Sequence, residues 1–399
     1  MQKRSQFLMG AGCAVGTLAL TRAANAAYPQ IMQPFESGAR PLVAFPQKRP
    51  LIVLTPRPPQ LETPFAVFDE GVLTPNDAFF VRWHNADIPT TIDGAAHRVA
   101  VTGTERTLHL SIADLKTFEP VEVIAVNQCS GNSRGFFGPR VPGGQWTNGA
   151  MGNARWKGAR LRDILAKAGL KAGTKQIQFD GLDRPALSTT PDFLKSLDVD
   201  VARDENVIVA YEMNGFPLPL LNGFPVRLVV PGWYSTYWVK MLSHIEALDH
   251  IDDNFWMKTA YRVPATPYNS VAPTDKGYRT VPISTMVVRS FLTNVRDGDV
   301  LASKMQEIRG IAFDKGTGIA KVEYSIDGGT TWSDASLGRD FGRFSFRPFR
   351  AEILPKPGTT MTLATRATAA DGSIQIATPI WMPAGYQRNS IETYKVTIA

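Results

Sequence analysis

The residues that could do chemistry gather around Cys129. It follows the apolar run Val121-Glu122-Val123-Ile124-Ala125-Val126 and opens the segment Ser130-Gly131-Asn132-Ser133-Arg134. A thiol therefore stands where a strand meets a polar, glycine-rich loop. Such a cysteine can be a buried small hydrophobe. It can also be a nucleophile, which needs a histidine in reach; His84 and His244 are available. Third, it can ligate a soft or borderline metal, with Arg134 close by to favour the thiolate. One protein thiolate alone cannot hold such a metal, so the remaining ligands would come from a cofactor. These residues alone leave all three uses open.

Cations are the second signal. Arg82-Trp83-His84 follows Phe79-Phe80-Val81, and an arginine fork holds an oxyanion through two parallel hydrogen bonds. Arg227 ends Gly223-Phe224-Pro225-Val226-Arg227, and Lys240 follows in another apolar setting. Together they suggest an anionic cofactor and an anionic substrate; taken singly, each could equally be a salt bridge.

The elements that must position these groups read as mixed strand and helix from Asn76 to about Val263. Leu161, Ile164, Leu165 and Ala168 recur at helical spacing, with Gly169 as a stop, so a helix is predicted to back the Cys129 loop. Residues 28–75 are proline-rich and read as an extended arm over the surface. Residues 264–282 read as a loop-like connector. The remainder reads as all strand, with a hairpin turn at Asp327-Gly328-Gly329. About seven strands in roughly 120 residues point to an immunoglobulin-like sandwich. It has neither cysteine nor histidine, so chemistry is expected in the earlier region.

The chain has 399 residues, 44% hydrophobic and 20% charged, with 33 glycines and 29 prolines. That composition suits globular domains with real cores and argues against a helical bundle, a disordered chain or a membrane-embedded one. Lys3-Arg4, the uncharged stretch 9–20 and Ala24-Asn25-Ala26 read as an export signal over residues 1–26, similar to a twin-arginine leader. Three of the 43 basic residues leave with it, so 40 face 36 acidic ones and the net charge falls from +7 to +4. No basic run remains to track nucleic acid, and no membrane span is expected. Cys13 also leaves with the leader, so Cys129 has no disulfide partner. Zinc-site spacing and C-x-x-C-H haem attachment are both absent.

Several motifs together resemble one family. They are Phe80-Val81-Arg82-x-His84, Cys129-Ser-Gly-Asn-x-Arg134, Trp146-x-x-Gly-Ala-Met-x-x-Ala-Arg155-Trp156 and Ala210-Tyr-Glu-Met-Asn-Gly215. Gly223-Phe-Pro-Val-Arg227, Trp256-x4-Tyr261 and Ser325-Ile-Asp-Gly-Gly-Thr-Thr-Trp332 continue the series. Across essentially all of the chain after the leader, this resembles the sulfite oxidase family of molybdopterin enzymes. The resemblance implies an α+β, mostly β fold: a molybdopterin-binding catalytic domain over 27–272, then an immunoglobulin-like dimerisation domain over 273–399.

It also implies a molybdenum–molybdopterin cofactor with Cys129 as the metal's protein ligand and pterin sulfurs and oxo groups completing the sphere. The implied catalytic set is Arg82, His84, Arg134, Trp146, Tyr261 and Arg388. Arg388 stands in for a pocket arginine where this chain has Ala384. The implied cofactor-binding set is Phe80, Val81, Arg82, Trp83, His84, Asp183, Asn222, Arg227, Trp238, Val239 and Lys240. Asn222 occupies a position where family members with a cytochrome domain have histidine.

The activity implied is periplasmic oxidation of sulfite to sulfate by oxygen-atom transfer. No haem is expected in this chain, so electrons would pass to an external acceptor such as a c-type cytochrome, and the enzyme would be a homodimer. The family also holds sulfane dehydrogenase subunits and sulfoxide reductases. The Arg82, Arg134 and Tyr261 set favours a small oxyanion. Outside the family, an exported binding protein or a cysteine hydrolase would each lack metal.

Overall fold

The structure, a computed structural model, describes residues 30–32, 39–43 and 45–399. The proposed export signal and Cys13 lie outside the described residues. Strands dominate and helices are few and short, as the α+β, mostly β expectation requires.

The Cys129 loop is carried by one antiparallel sheet. Pro120–Gln128 pairs along its length with Met151–Arg160, which pairs with Ile208–Met213; Arg227–Val229 joins the other side of Ile208–Met213. Its β-branched and small residues suit a sheet covered on both faces: Ala125, Val126, Ala154, Trp156, Ile208 and Val209 are buried. Leu161–Ala168 forms the expected helix. Its four periodic residues are buried, and Gly169 at φ 76° ends it. A second five-stranded sheet runs Lys195–Asp198, Gln176–Asp180, His244–Leu248, Val99–Thr102, Leu108–Leu110; its central pair, His244–Leu248 with Val99–Thr102, is parallel.

The arm departs from its sequence reading. Leu51–Pro56 and Pro59–Glu62 form a hairpin continued by Val81–Arg82, and Leu51 and Leu61 are wholly buried beside Trp83 and Met241. The prolines sit at the turn (Pro56, Pro58, Pro59), leaving the apolar residues between them free to pair and pack inward. The connector also differs: Arg262–Pro264 and Thr280–Pro282 pair as antiparallel strands.

The C-terminal region is a sandwich of a four-stranded sheet containing Arg289–Leu292, Gln306–Phe313 and Arg347–Ile353, and a five-stranded sheet containing Ile319–Ser325, Thr360–Ala369 and Glu392–Ile398. Gly328 and Gly329 take positive φ in the expected turn, and the Asp327 carboxylate accepts the Thr330 and Thr331 N–H groups. The sandwich has its own core around Leu292, Val322, Leu363 and Val396. Yet Phe291, Phe313 and Phe346 belong to the core beneath the Cys129 sheet, so the two regions share buried apolar surface.

Candidate active site

Cys129 lies at the end of its strand with its N–H donated to the Ala150 carbonyl at 2.9 Å. The loop beyond is tied to the 144–150 segment by Ser133 N–H to Thr147 O at 2.6 Å, Gly135 N–H to Trp146 O at 2.9 Å and Ala150 N–H to Asn132 Oδ1 at 2.9 Å. That segment is in turn held by Glu62, whose buried carboxylate accepts from Gly149 N at 2.8 Å, Thr147 N at 3.1 Å and the Thr147 hydroxyl. Burial raises Glu62 to about 7, against the pull of these three donors.

Above the loop is a small cavity, partly open to solvent. Cys129 lines it together with Phe80, Arg82, His84, Asn222, Arg227, Trp238, Lys240 and Tyr261. No carboxylate is among the described lining residues. Such a collection of cations is unfavourable by itself. Arg227 lies between the Trp156 and Trp238 rings and donates to Asn222 O and Trp238 O at 2.9 and 3.2 Å; burial pushes it down to about 9. Burial, reinforced by Arg227, pushes Lys240 down to about 7, while Asp183 pulls the other way.

Polar atoms left without a protein partner face the same space. Arg82 Nη1, His84 Nδ1, Asn127 Nδ2, Ser130 Oγ, Arg227 Nε and Thr236 Oγ1 are buried and unpaired, and all six residues line the cavity. Buried polar groups are normally satisfied. Here the unpaired polar atoms and the excess of positive charge, only partly balanced by Asp183, fit an anionic group rich in hydrogen-bond acceptors, with Cys129 placed to contribute a sulfur.

At the other end of the cavity, His84 Nε2 and the Tyr261 hydroxyl share a hydrogen bond. The imidazole stacks on Phe193 with centroids 3.6 Å apart. Burial, then the positive field of Arg82, hold His84 well below its usual range, so the ring is neutral. Burial likewise raises Tyr261, keeping it protonated. Tyr261 has a φ of 54°, a left-handed conformation costly for an aromatic residue.

The sequence-predicted residues fall into three groups. Phe80, Arg82, His84, Cys129, Asn222, Arg227, Trp238, Lys240 and Tyr261 share the cavity. Val81, Trp83, Arg134, Trp146, Asp183 and Val239 surround it without being among its lining: Trp83 lies under the Lys240 ammonium, and Val239 O accepts the Leu228 N–H. Arg134 donates to Ala384 O at 3.2 Å and Gly144 O at 3.3 Å, with its guanidinium over Tyr386. Arg388 stands apart from both groups. It does not line the cavity; its guanidinium is ion-paired to the buried Glu392 and lies over Phe136. An arginine already neutralised by a carboxylate is a poor anion ligand.

Sequence reasoning missed Lys48, Glu62, Asn127, Ser130, Phe193 and Thr236. Lys48 lies in the supposed surface arm, yet its ammonium donates to Asn222 Oδ1, to Asn76 O at 2.6 Å and to Phe79 O at 3.0 Å. Ser130 follows Cys129 inside the quoted motif and Asn127 lies two residues before it, which was signal enough. Lys48 and Phe193 carried none.

The chain is similar to proteins already known. The family described as oxidoreductase molybdopterin binding domain matches residues 85–256. Chicken (Gallus gallus) sulfite oxidase is 32% identical over 359 residues, covering 86% of this chain and 77% of that protein. Mitochondrial sulfite oxidases of Homo sapiens and Mus musculus are 32% and 33% identical, covering 86% and 77% of this chain. The chain spans 65% and 57% of those two proteins. The solved structure of the sulfane dehydrogenase SoxCD from Paracoccus pantotrophus has the same fold, with a TM-score of 0.73 at 23% identity over 98% of this chain and 93% of that one. The chain therefore belongs to the sulfite oxidase family of molybdopterin oxidoreductases.

Proposed function

We propose that this protein oxidises sulfite to sulfate at a molybdenum–molybdopterin centre ligated by Cys129 and delivers the electrons to an external carrier such as a c-type cytochrome. The observation that carries the reading is the meeting of Cys129 with Arg82, Arg227 and Lys240 and the His84–Tyr261 pair in one cavity with no carboxylate among its described lining residues. When bound, the cofactor supplies the transferred oxygen atom and takes up two electrons. Phe80, Asn222, Arg227, Trp238 and Lys240 would hold its pterin and phosphate, with Val81, Trp83, Asp183 and Val239 supporting them from behind.

Arg82 and Arg134 would neutralise and orient the oxyanion. Trp146, buried beside the loop, would fix the wall against which it rests. Tyr261, protonated, shares its hydroxyl with neutral His84 and would present it to the substrate, so the pair offers a proton to the site without a second positive charge beside Arg82 in a dry cavity. The leader supports export to the periplasm, and the sandwich region at 273–399 would form the homodimer contact, with 27–272 as the catalytic domain.

The test is sulfite-dependent reduction of ferricyanide and of cytochrome c by the purified protein. Turnover with both acceptors, absent in Cys129→Ser, is expected. No sulfite turnover by molybdenum-replete protein would overturn the reading in favour of another sulfur substrate.

A further inference from the structure

Arg289 stands outside the cavity and belongs to the sandwich, in the strand Arg289–Leu292. Its side chain is wholly buried, which is costly for a guanidinium unless its donors are used. Nη1 donates to the Arg388 carbonyl; Nη2 donates to Glu392 Oε1 at 2.8 Å and to Ser133 Oγ at 3.1 Å. Glu392 also pairs with Arg388, so one carboxylate balances two buried cations. The side-chain acceptor that Arg289 reaches outside its own region is the Ser133 hydroxyl.

Ser133 immediately precedes Arg134 and has a φ of 69°, a left-handed conformation that a non-glycine residue adopts only when held there. Its hydroxyl accepts from Arg289 and donates to Asn148 Oδ1 at 2.5 Å. Arg134 leaves this kink and lodges between two walls. One is the 144–150 segment, through Gly144 O; the other is the 384–388 segment, through Ala384 O and the Tyr386 ring. Arg289 grips both walls, the first through Ser133 and Asn148, the second through the Arg388 carbonyl.

We propose that Arg289 is a positioning residue for oxyanion binding, acting through Ser133 and the Arg388 carbonyl to aim Arg134. The identity of the substrate in this statement rests on the sulfite reading above; the positioning role does not. Arg388 acquires a role here that its own guanidinium does not have in the cavity: it neutralises Glu392 and presents its carbonyl to Arg289.

The experiment uses the molybdenum-loaded protein, with sulfate as a binding probe and sulfite as substrate. Ser133→Ala removes only the hydroxyl, and Arg289→Met removes the fork at similar volume. Both are expected to weaken sulfate binding and raise KM for sulfite about tenfold, leaving kcat within about threefold. The double variant should bind sulfate no worse than Arg289→Met alone, because the two residues act in series. Arg289→Lys, which keeps a charged donor, should recover part of the loss. Unchanged sulfate affinity in Ser133→Ala, or losses that add in the double variant, would overturn the proposal. If Arg289→Met does not fold, Ser133→Ala and Arg289→Lys decide it on the same sulfate affinity. Wild type that binds sulfate but does not turn over sulfite removes the sulfite reading and leaves the positioning role to be judged by binding. Wild type that binds no sulfate overturns the positioning role.

Discussion

The Lys240 ammonium sits 4.2 Å from the centre of the Trp83 ring, so a residue expected to touch the cofactor is stacked on one expected to line it. This arrangement keeps a buried cation tolerable, though still depressed to about 7. Lys48 and Lys195 are likewise pushed down to about 7 by burial. Between pH 7 and 10.5 the unfolded chain carries protons on these lysines that the folded chain lacks, so stability rises with pH there. Glu62 works oppositely. Between pH 4.5 and 7 the folded chain keeps a proton that the unfolded chain has lost, so its contribution falls as pH rises. Below pH 7 the depressed His84 and His97 oppose Glu62, so the resolved expectation is that the melting temperature of cofactor-free protein rises between pH 7 and 10. Loading the anionic cofactor should flatten the rise above pH 7, because Lys48 and Lys240 then stay protonated. A melting temperature that falls between pH 7 and 10 in the cofactor-free protein would contradict this.

Tyr261→Phe removes the hydroxyl that His84 shares and leaves the ring stacked on Tyr386, whose plane is 5° from parallel at 5.3 Å. A fall in kcat of about a hundredfold, the scale of a lost proton-transfer partner, is expected with a smaller change in KM. Steady-state kinetics with sulfite measures it. An unchanged kcat would remove Tyr261 from the proton path.

Lys48→Met should leave the protein folded and loosen the cofactor. The ammonium holds Asn222 Oδ1, while Asn222 in turn donates to Phe80 O at 3.0 Å and offers its carbonyl to Arg227. Losing that brace and one positive charge should lower molybdenum retained through gel filtration several-fold. Wild-type retention would show that Lys48 is only a packing residue.

Gly149→Ala tests the support beneath Cys129. A Cβ there would lie 2.0 Å from the Thr63 carbonyl oxygen, a backbone atom that cannot swing away. The expected cost is about 1–3 kcal/mol of overpacking, with loss of the Glu62 contact to Gly149 N–H adding to it. Urea melts of the variant and wild type give the difference directly. A change below about 0.5 kcal/mol would mean that the segment shifts freely.

The sequence made the Cys129 sheet, its backing helix and the Asp327 turn legible because each follows from a local signal: an apolar run, a 3.6-residue period, paired glycines. Arg82, His84, Arg227 and Lys240 could be singled out as cations in apolar surroundings. The role of Lys48 could not, because its partner Asn222 lies 174 residues away and prolines on either side gave its segment the texture of a surface arm. Arg388 is the converse case. Its proximity to a pocket segment suggested an anion ligand, but Glu392, one helical turn away in spacing yet at the start of a strand, neutralises it.

The central claim is a sulfite-oxidising centre that depends on the Cys129 sulfur. Its most direct test is a single-turnover experiment on molybdenum-quantified protein mixed with sulfite in the absence of any electron acceptor, followed by counting of sulfate. The account predicts about one sulfate per molybdenum in wild type and none in Cys129→Ser loaded to the same level. Equal sulfate from both proteins, or none from molybdenum-replete wild type, would contradict it.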